Sequence, residues 1–298
     1  MSRLERQSFL GAQSEAVLAA TTVGIVGLGG GGSHAAQQTG HAGIGGYLLV
    51  DPDHIDFGNT NRLIGGTLAD VARKSRKTSI AARTIRALQP NARIVEVPKS
   101  WHEAAYMLKT CDVIIGAVDS YREREQLERF ARRYLIPYID IGIDVHELGK
   151  DKFLIAGQVI LSVPRKPCLR CCGLITDERL QREAEQYGAA GGRAQVVWPN
   201  GVLASTAVGL LMQLVTPWHS KAPEFTYLEY DGNKGTVTIS KWVEMLTECV
   251  CPHHPSDETG DPLFDIGKHR ARATLPKDNF LMSAWRSLGR LLQWRPGT

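Results

Sequence analysis

A buried-strand pattern that runs straight into a cluster of glycines leaves this chain few ways to fold. Thr22-Val23-Gly24-Ile25-Val26 is a short apolar run, and glycines follow at 27, 29, 30, 31 and 32 before Ser33. The pattern predicts a strand, a glycine turn and a helix, then a second strand ending at Asp51. Gly27, Gly29, Gly30 and Gly32 let a backbone approach a pyrophosphate closely. The next helix offers unpaired N–H groups and a positive dipole end, and Asp51 is placed for ribose hydroxyls. Many dinucleotide enzymes share this signal, and plain tight packing also produces glycine-rich turns, so the nucleotide's identity must come from elsewhere.

The loop beyond Asp51 supplies that discrimination. Asp51-Pro52-Asp53-His54-Ile55-Asp56-Phe57-Gly58-Asn59-Thr60-Asn61-Arg62 gathers carboxylates, amides and one guanidinium. Hydride transfer needs none of these. Stabilising charge on the α-phosphate of a triphosphate needs fixed cations, and Arg62 brings planar, permanently charged donors. Lys77 lies within residues 73–82, the start of an apparent helix whose apolar positions recur near helical spacing, and can point a second cation back at the nucleotide, whereas Arg73, Lys74 and Arg76 read as a solvated basic end. A further continuous apolar run, Cys111 to Ser120, predicts a parallel-sheet strand that places Asp119 at its carboxyl end. An Asp there suits magnesium held jointly with substrate phosphates, or a helix N-cap ahead of Tyr121.

Taken in order, these residues resemble the ubiquitin-activating-enzyme-like adenylyltransferases, the ThiF/MoeB/HesA family, over about residues 3 to 252. The matching positions are Arg3, Arg6 and Gln7, then Gly27 to Gly32, Asp51 with Asp53, Asn59 and Arg62, Lys77, and Asp119 with Arg124. The resemblance implies a Rossmann-like, doubly wound and mostly parallel α/β sheet that binds ATP with magnesium. It implies adenylation of the C-terminal glycine carboxylate of a ubiquitin-like or sulfur-carrier protein, releasing pyrophosphate. Asp51 would hold ribose, Gly29 to Gly32 the phosphates, Asn59, Arg62 and Lys77 the polyphosphate, and Asp119 magnesium. Arg6 would reach the ATP of the partner protomer in a homodimer. The chemistry is consistent with the chain's lack of a Ser/His/Asp arrangement, because a carboxylate nucleophile is already ionised at neutral pH. Other branches adenylate a peptide carboxylate or a modified transfer-RNA nucleoside, and a catalytically degenerate scaffold subunit is a third possibility.

The six cysteines suit a reducing compartment better as metal ligands or reactive thiols than as disulfides. Cys168-Leu169-Arg170-Cys171 is a metal-knuckle spacing, and Cys249-Val250-Cys251 could complete a tetrahedral zinc site pinning the C-terminal part to the sheet. Relatives carry a second Cys-x-x-Cys. The shorter Cys-x-Cys followed by His253 and His254 therefore leaves the fourth ligand open between Cys251 and a histidine. The polar segment 173–195 resembles the crossover loop that covers the carrier tail in relatives, and it holds no cysteine, which puts a thioester or persulfide step in doubt. Cys172 and Cys111 are the remaining thiols, and both read as inert.

The net charge of +4 argues against a dedicated nucleic-acid surface. No apolar run is long enough for a bilayer and the charged opening is not a secretory signal, so a cytoplasmic protein without membrane partners is expected. The expected organisation is an adenylation domain over 1–254, a polar linker over 255–277 and an amphipathic helix over 278–298. Phe280, Leu281, Ala284, Trp285, Leu288, Leu291 and Leu292 form the stripe of that helix. Such a stripe packs on its own domain, docks a carrier, a downstream conjugating enzyme or a sulfur donor, or, with Arg286 and Arg290 beside it, lies on a membrane surface.

Overall fold

The computed structural model describes residues 3–185, 195–219, 223–246 and 250–254. A short 3-10 segment, Glu5–Leu10, and helix α1 (Ser14–Ala20) precede strand β1 (Thr22–Val26), helix α2 (Gly30–Ala42) and strand β2 (Gly46–Val50). Helices α3 (Leu68–Ala72) and α4 (Lys77–Leu88) lead to β3 (Arg93–Val97), α5 (Ala105–Leu108), β4 (Val113–Gly116) and α6 (Tyr121–Arg133). A long hairpin of β5 (Tyr138–Gly149) and β6 (Lys152–Ser162) is followed by α7 (Asp177–Glu185) and α8 (Val197–Val215). Strands β7 (Thr226–Asp231) and β8 (Thr236–Ile239) and helix α9 (Lys241–Leu246) close the described part.

All eight strands form one sheet in the order β3-β2-β1-β4-β5-β6-β7-β8. The first five are parallel, and β6, β7 and β8 add on antiparallel. This is the expected α/β architecture with its mostly parallel, doubly wound part. Strands β2 and β4 are buried along their whole length, which is why their sequences run apolar without alternation. In β4, Val113 and Ile115 join the large cluster formed with α2, α4 and α8, while the alternate Ile114 is equally buried outside it. Successive side chains point to opposite faces, so both faces are covered.

The order of strands reverses beside β1: β2 and β3 lie on one side, β4 and β5 on the other. Val26 pairs with both Val50 and Gly116, so three parallel strands end level with one another. A reversal of this kind opens a crevice at the carboxyl edge, where ligands bind in open α/β sheets. Helix α8 begins at Val197, with Pro199 tolerated in its first turn. The polar segment 173–195 contains helix α7, which buries none of its residues. Residues 186–194, Cys249 and the whole of 255–298, including the expected linker and terminal helix, lie outside the described residues. Among the described residues no helix is long and apolar enough to cross a membrane.

Candidate functional site

The glycine turn has one tight side and one open side. Gly27 has φ +85°, and a Cβ there would meet the Ala117 carbonyl oxygen at 2.5 Å; one on Gly32 would overlap the Gly27 carbonyl oxygen. One on Gly30 would meet the Asn200 side chain at 2.6 Å, so α8 closes the back of the turn. A Cβ on Gly29 would touch nothing within 4 Å. Gly29 is the N-cap of α2, so its open side faces the unpaired N–H groups of a 13-residue helix, an arrangement suited to anionic oxygens.

Asp51, directly after β2, is buried and pinned to this turn. Its Oδ2 accepts the Leu28 N–H at 2.7 Å and its Oδ1 accepts the Asp53 N–H at 2.9 Å. Burial pushes the Asp51 carboxyl above the ordinary carboxylate range, against the opposing pull of Lys77 and the two N–H bonds. Lys77 is the first residue of α4, which begins later than the helix expected from Arg73, and it turns its ammonium inward, 2.7 Å from Asp53 Oδ2 and 3.8 Å from Asp51 Oδ1. The loop between them is locally built. Asp56 and Asn59 form a reciprocal capping box on a 3-10 turn, and Arg62 Nη1 donates to the Gly58 carbonyl at 2.7 Å and to Asn61 Oδ1 at 3.0 Å.

Asp119 stands exposed just past the end of β4. It does not cap α6. Ser120 does, accepting the Glu123 N–H at 3.2 Å. Its carboxylate instead takes a hydrogen bond of 3.1 Å from the Gln195 amide, and the Gln195 carbonyl accepts one of 3.0 Å from Asn61 Nδ2. Arg124 is buried: it donates to the Val118 carbonyl at 2.9 Å and lies 3.4 Å from Asp140, bracing the turn from behind.

Gly27, Gly29, Asp51, Asp53, Asn59, Arg62 and Asp119 thus lie on the segments that follow β1, β2 and β4, Gly30 to Gly32 open α2, and Lys77 at the start of α4 reaches back to Asp51 and Asp53. Arg6 is not among them. Its neighbours Arg3 and Gln7 donate to the His41 and Ala42 carbonyls at the far end of α2, 3.0 and 2.8 Å away. That end of α2 lies about 18 Å along the helix from the open glycine. Gln195, Asn200 and Ser33 were not singled out from sequence. Ser33 Oγ accepts the Ile64 N–H at 2.9 Å and donates to the Gly30 carbonyl at 3.0 Å, tying α2 to the loop beyond Arg62. Asn200 is one of two amides in the mostly apolar α8, and no local signal in the sequence sets it apart from Gln213.

A second constellation joins Cys168, Cys171, Cys251 and His253. The two knuckle sulfurs are 3.6 Å apart and lie 3.4 and 3.5 Å from His253 Nδ1. Tetrahedral zinc with sulfur at about 2.3 Å and nitrogen at about 2.0 Å has ligand–ligand edges of about 3.5 to 3.8 Å, so the spacing fits that ion. Hydrogen bonding from the Cys168 thiol, with help from the His253 and His254 N–H groups, pulls the Cys251 thiol down to about 4. Among the described residues the histidine left open by sequence is His253. Cys249 lies outside them. Behind this group, the buried Glu128 carboxylate accepts the Leu169 N–H at 3.1 Å, and Arg132 donates to the Lys166 and Pro167 carbonyls at 2.9 and 2.7 Å, so α6 grips the knuckle. Cys172 is buried beside it, and burial raises its thiol well above the ordinary value; burial likewise pushes Cys111 up to about 12. Neither thiol is presented to the nucleotide turns.

The ThiF family model matches residues 1–251. The tRNA threonylcarbamoyladenosine dehydratase of Escherichia coli is 34% identical over 121 residues, 40% of this chain and 44% of that protein. The SAMP-activating enzyme E1 of Haloferax volcanii is 28% identical over 164 residues, 54% of this chain and 57% of that protein. The chain therefore spans about half the length of these curated relatives. In fold it is similar to the crystal structure of E. coli MccB with ATP, with a TM-score of 0.65 and 18% identity over 80% of this chain and 71% of that one.

Proposed function

The chain belongs to the ThiF family, and from that membership we propose that it adenylates the C-terminal glycine carboxylate of a ubiquitin-like or sulfur-carrier protein. One carboxylate oxygen attacks the α-phosphorus of ATP, the bond to the β-phosphate oxygen breaks, and pyrophosphate leaves with that electron pair. The observation that carries this reading is an open Gly29, a buried Asp51 and an exposed Asp119 beyond three strands that end level at one sheet edge, with Lys77 of α4 turned inward to Asp51 and Asp53. Gly29 to Gly32 and the first turn of α2 receive phosphate oxygens. Asp51 keeps lone pairs for ribose hydroxyls beyond the two N–H bonds it accepts.

Attack brings two anions together, so fixed positive charge at the reacting centre is the main requirement. Lys77 and Arg62 supply it, Arg62 after its guanidinium leaves the Gly58 carbonyl, and Asn59 lines the polyphosphate. Asp119 fits magnesium, which is usually held by one or two carboxylates together with substrate phosphates and would neutralise charge on them. Arg6 lies in the segment whose Arg3 and Gln7 dock on the far end of α2 from the glycine turn, which supports a role in a second copy's site within a homodimer. No side chain needs to remove a proton, because the attacking group is already a carboxylate. The buried state of Cys172 and Cys111 supports adenylation without a thioester on this chain, the adenylate passing to a separate thiol-bearing protein or sulfur donor.

A second reading keeps the chemistry and changes the acceptor to threonylcarbamoyladenosine on tRNA. The E. coli relative favours it; the metal-knuckle cysteines favour the protein acceptor. Either acceptor requires ATP. Calorimetric titration is expected to show ATP binding in the presence of magnesium and NAD binding far more weakly. Tighter binding of NAD than of ATP would overturn the nucleotide assignment.

A further inference from the structure

We propose that Gln195 is a positioning residue for Asp119, fixing the carboxylate that holds magnesium in the reading above, on which this inference rests. Asp119 is exposed on a short turn, and an exposed aspartate held by nothing would sample several rotamers. The Gln195 side-chain amide donates to its Oδ1 at 3.1 Å. Gln195 immediately precedes Val196, the N-cap of the 19-residue helix α8, which packs on α2, β5 and β6. The donor is therefore anchored in the rigid part of the fold. Its backbone carbonyl accepts the Asn61 amide at 3.0 Å, so the same residue ties the turn after β4 to the loop that carries Asn59 and Arg62.

The opposite flank of that turn is clamped as well. Glu183 of α7 accepts the Tyr121 N–H at 2.9 Å, the Arg122 N–H at 3.0 Å and the Ser120 hydroxyl at 3.2 Å. Ser120 caps α6, so Asp119 is not spent on the helix. Side-chain tethers from α7 and from the residue leading into α8 thus meet on the four residues 119–122. Residues that orient a metal-binding carboxylate without touching the ion commonly contribute tenfold or more to metal affinity.

Gln195→Ala removes the amide and keeps the backbone carbonyl bonded to Asn61, which isolates the proposed role. ATP binding to the full chain is titrated by calorimetry at fixed magnesium concentrations and with magnesium withheld. The variant is expected to need about tenfold more magnesium for half-saturation. Its magnesium-free ATP affinity and its melting temperature should match those of the parent, since the amide touches neither the glycine turn nor the core. An unchanged magnesium requirement overturns the proposal. So does an equal loss of ATP affinity with and without magnesium, which would mark a merely structural contact. Failure of the parent chain itself to bind ATP would instead count against the adenylation reading, so the two failures are distinguishable.

Discussion

Asp119→Ala and Arg62→Ala are each expected to lower adenylate formation by about a hundredfold, or about 2.7 kcal/mol of transition-state stabilisation. Both act on charge that develops when a carboxylate meets the α-phosphate. Neither should unfold the protein. Arg62 makes its described bonds within its own loop, to Gly58 and Asn61, and Asp119 is exposed and leaves the capping of α6 to Ser120. Arg62→Lys is the sharper probe, because it keeps a cation and loses the planar fork that matches phosphate oxygens. Pyrophosphate release under single-turnover conditions separates the cases: the lysine variant should fall between the parent and Arg62→Ala. Activity within a few-fold of the parent for Asp119→Ala and Arg62→Ala alike would remove both residues from the reaction.

The second large effect is expected at the cysteine cluster. Elemental analysis of protein purified without chelator should find one zinc ion per chain, and Cys168→Ser and Cys251→Ser should each lose it. Structural zinc contributes about 10 to 16 kcal/mol of apparent binding energy in small zinc-folded peptides. Here the sheet stands largely without it, so the expected consequence is local: release of 250–254 from the knuckle and faster proteolysis near the end of α9. Ligands must be deprotonated to bind, so acidification should weaken binding, and the ion should be lost as pH falls. Cys249→Ser discriminates the ligand set. Retention of the ion in that variant supports His253 as the fourth ligand; its loss would assign that place to Cys249. Absence of stoichiometric metal from the parent protein would contradict the site altogether.

Much of the nucleotide edge was legible because each of its signals is local. Apolar runs closed by Gly27, Asp51 and the turn at Asp119 gave three parallel strands, since a strand covered on both faces cannot alternate. The helical spacing in 73–82 was legible but its start was not, since α4 begins at Lys77 with Arg76 as its N-cap. The hairpin of β5 and β6 was not legible. Its turn is Lys150 and Asp151, both at positive φ, where glycine or asparagine would have announced it. Helix α7 hid in a polar segment because it buries nothing and is held by Glu183, Arg179 and their polar partners. Gln195 and Ser33 escaped notice for a different reason. Each acts through hydrogen bonds to residues far away in sequence, Gln195 with Asp119 and Asn61 and Ser33 with Ile64, and composition carries no trace of such bonds. Sequence could also not tell a capping Asp119 from a ligating one, a choice that the Ser120 hydroxyl settles against the cap.

Transfer of adenylate to a carboxylate is tested most directly by ATP–pyrophosphate exchange on the full chain against a panel of acceptors. Ubiquitin-like and sulfur-carrier proteins ending in glycine, a peptide, and tRNA bearing threonylcarbamoyladenosine make up that panel. Exchange is expected with a glycine-terminated carrier, should vanish when that carrier's terminal carboxylate is amidated, and should fall about a hundredfold in Asp119→Ala. Magnesium-dependent ATP binding without exchange for any carboxylate in the panel would contradict the adenylation mechanism and leave a nucleotide-binding scaffold in its place.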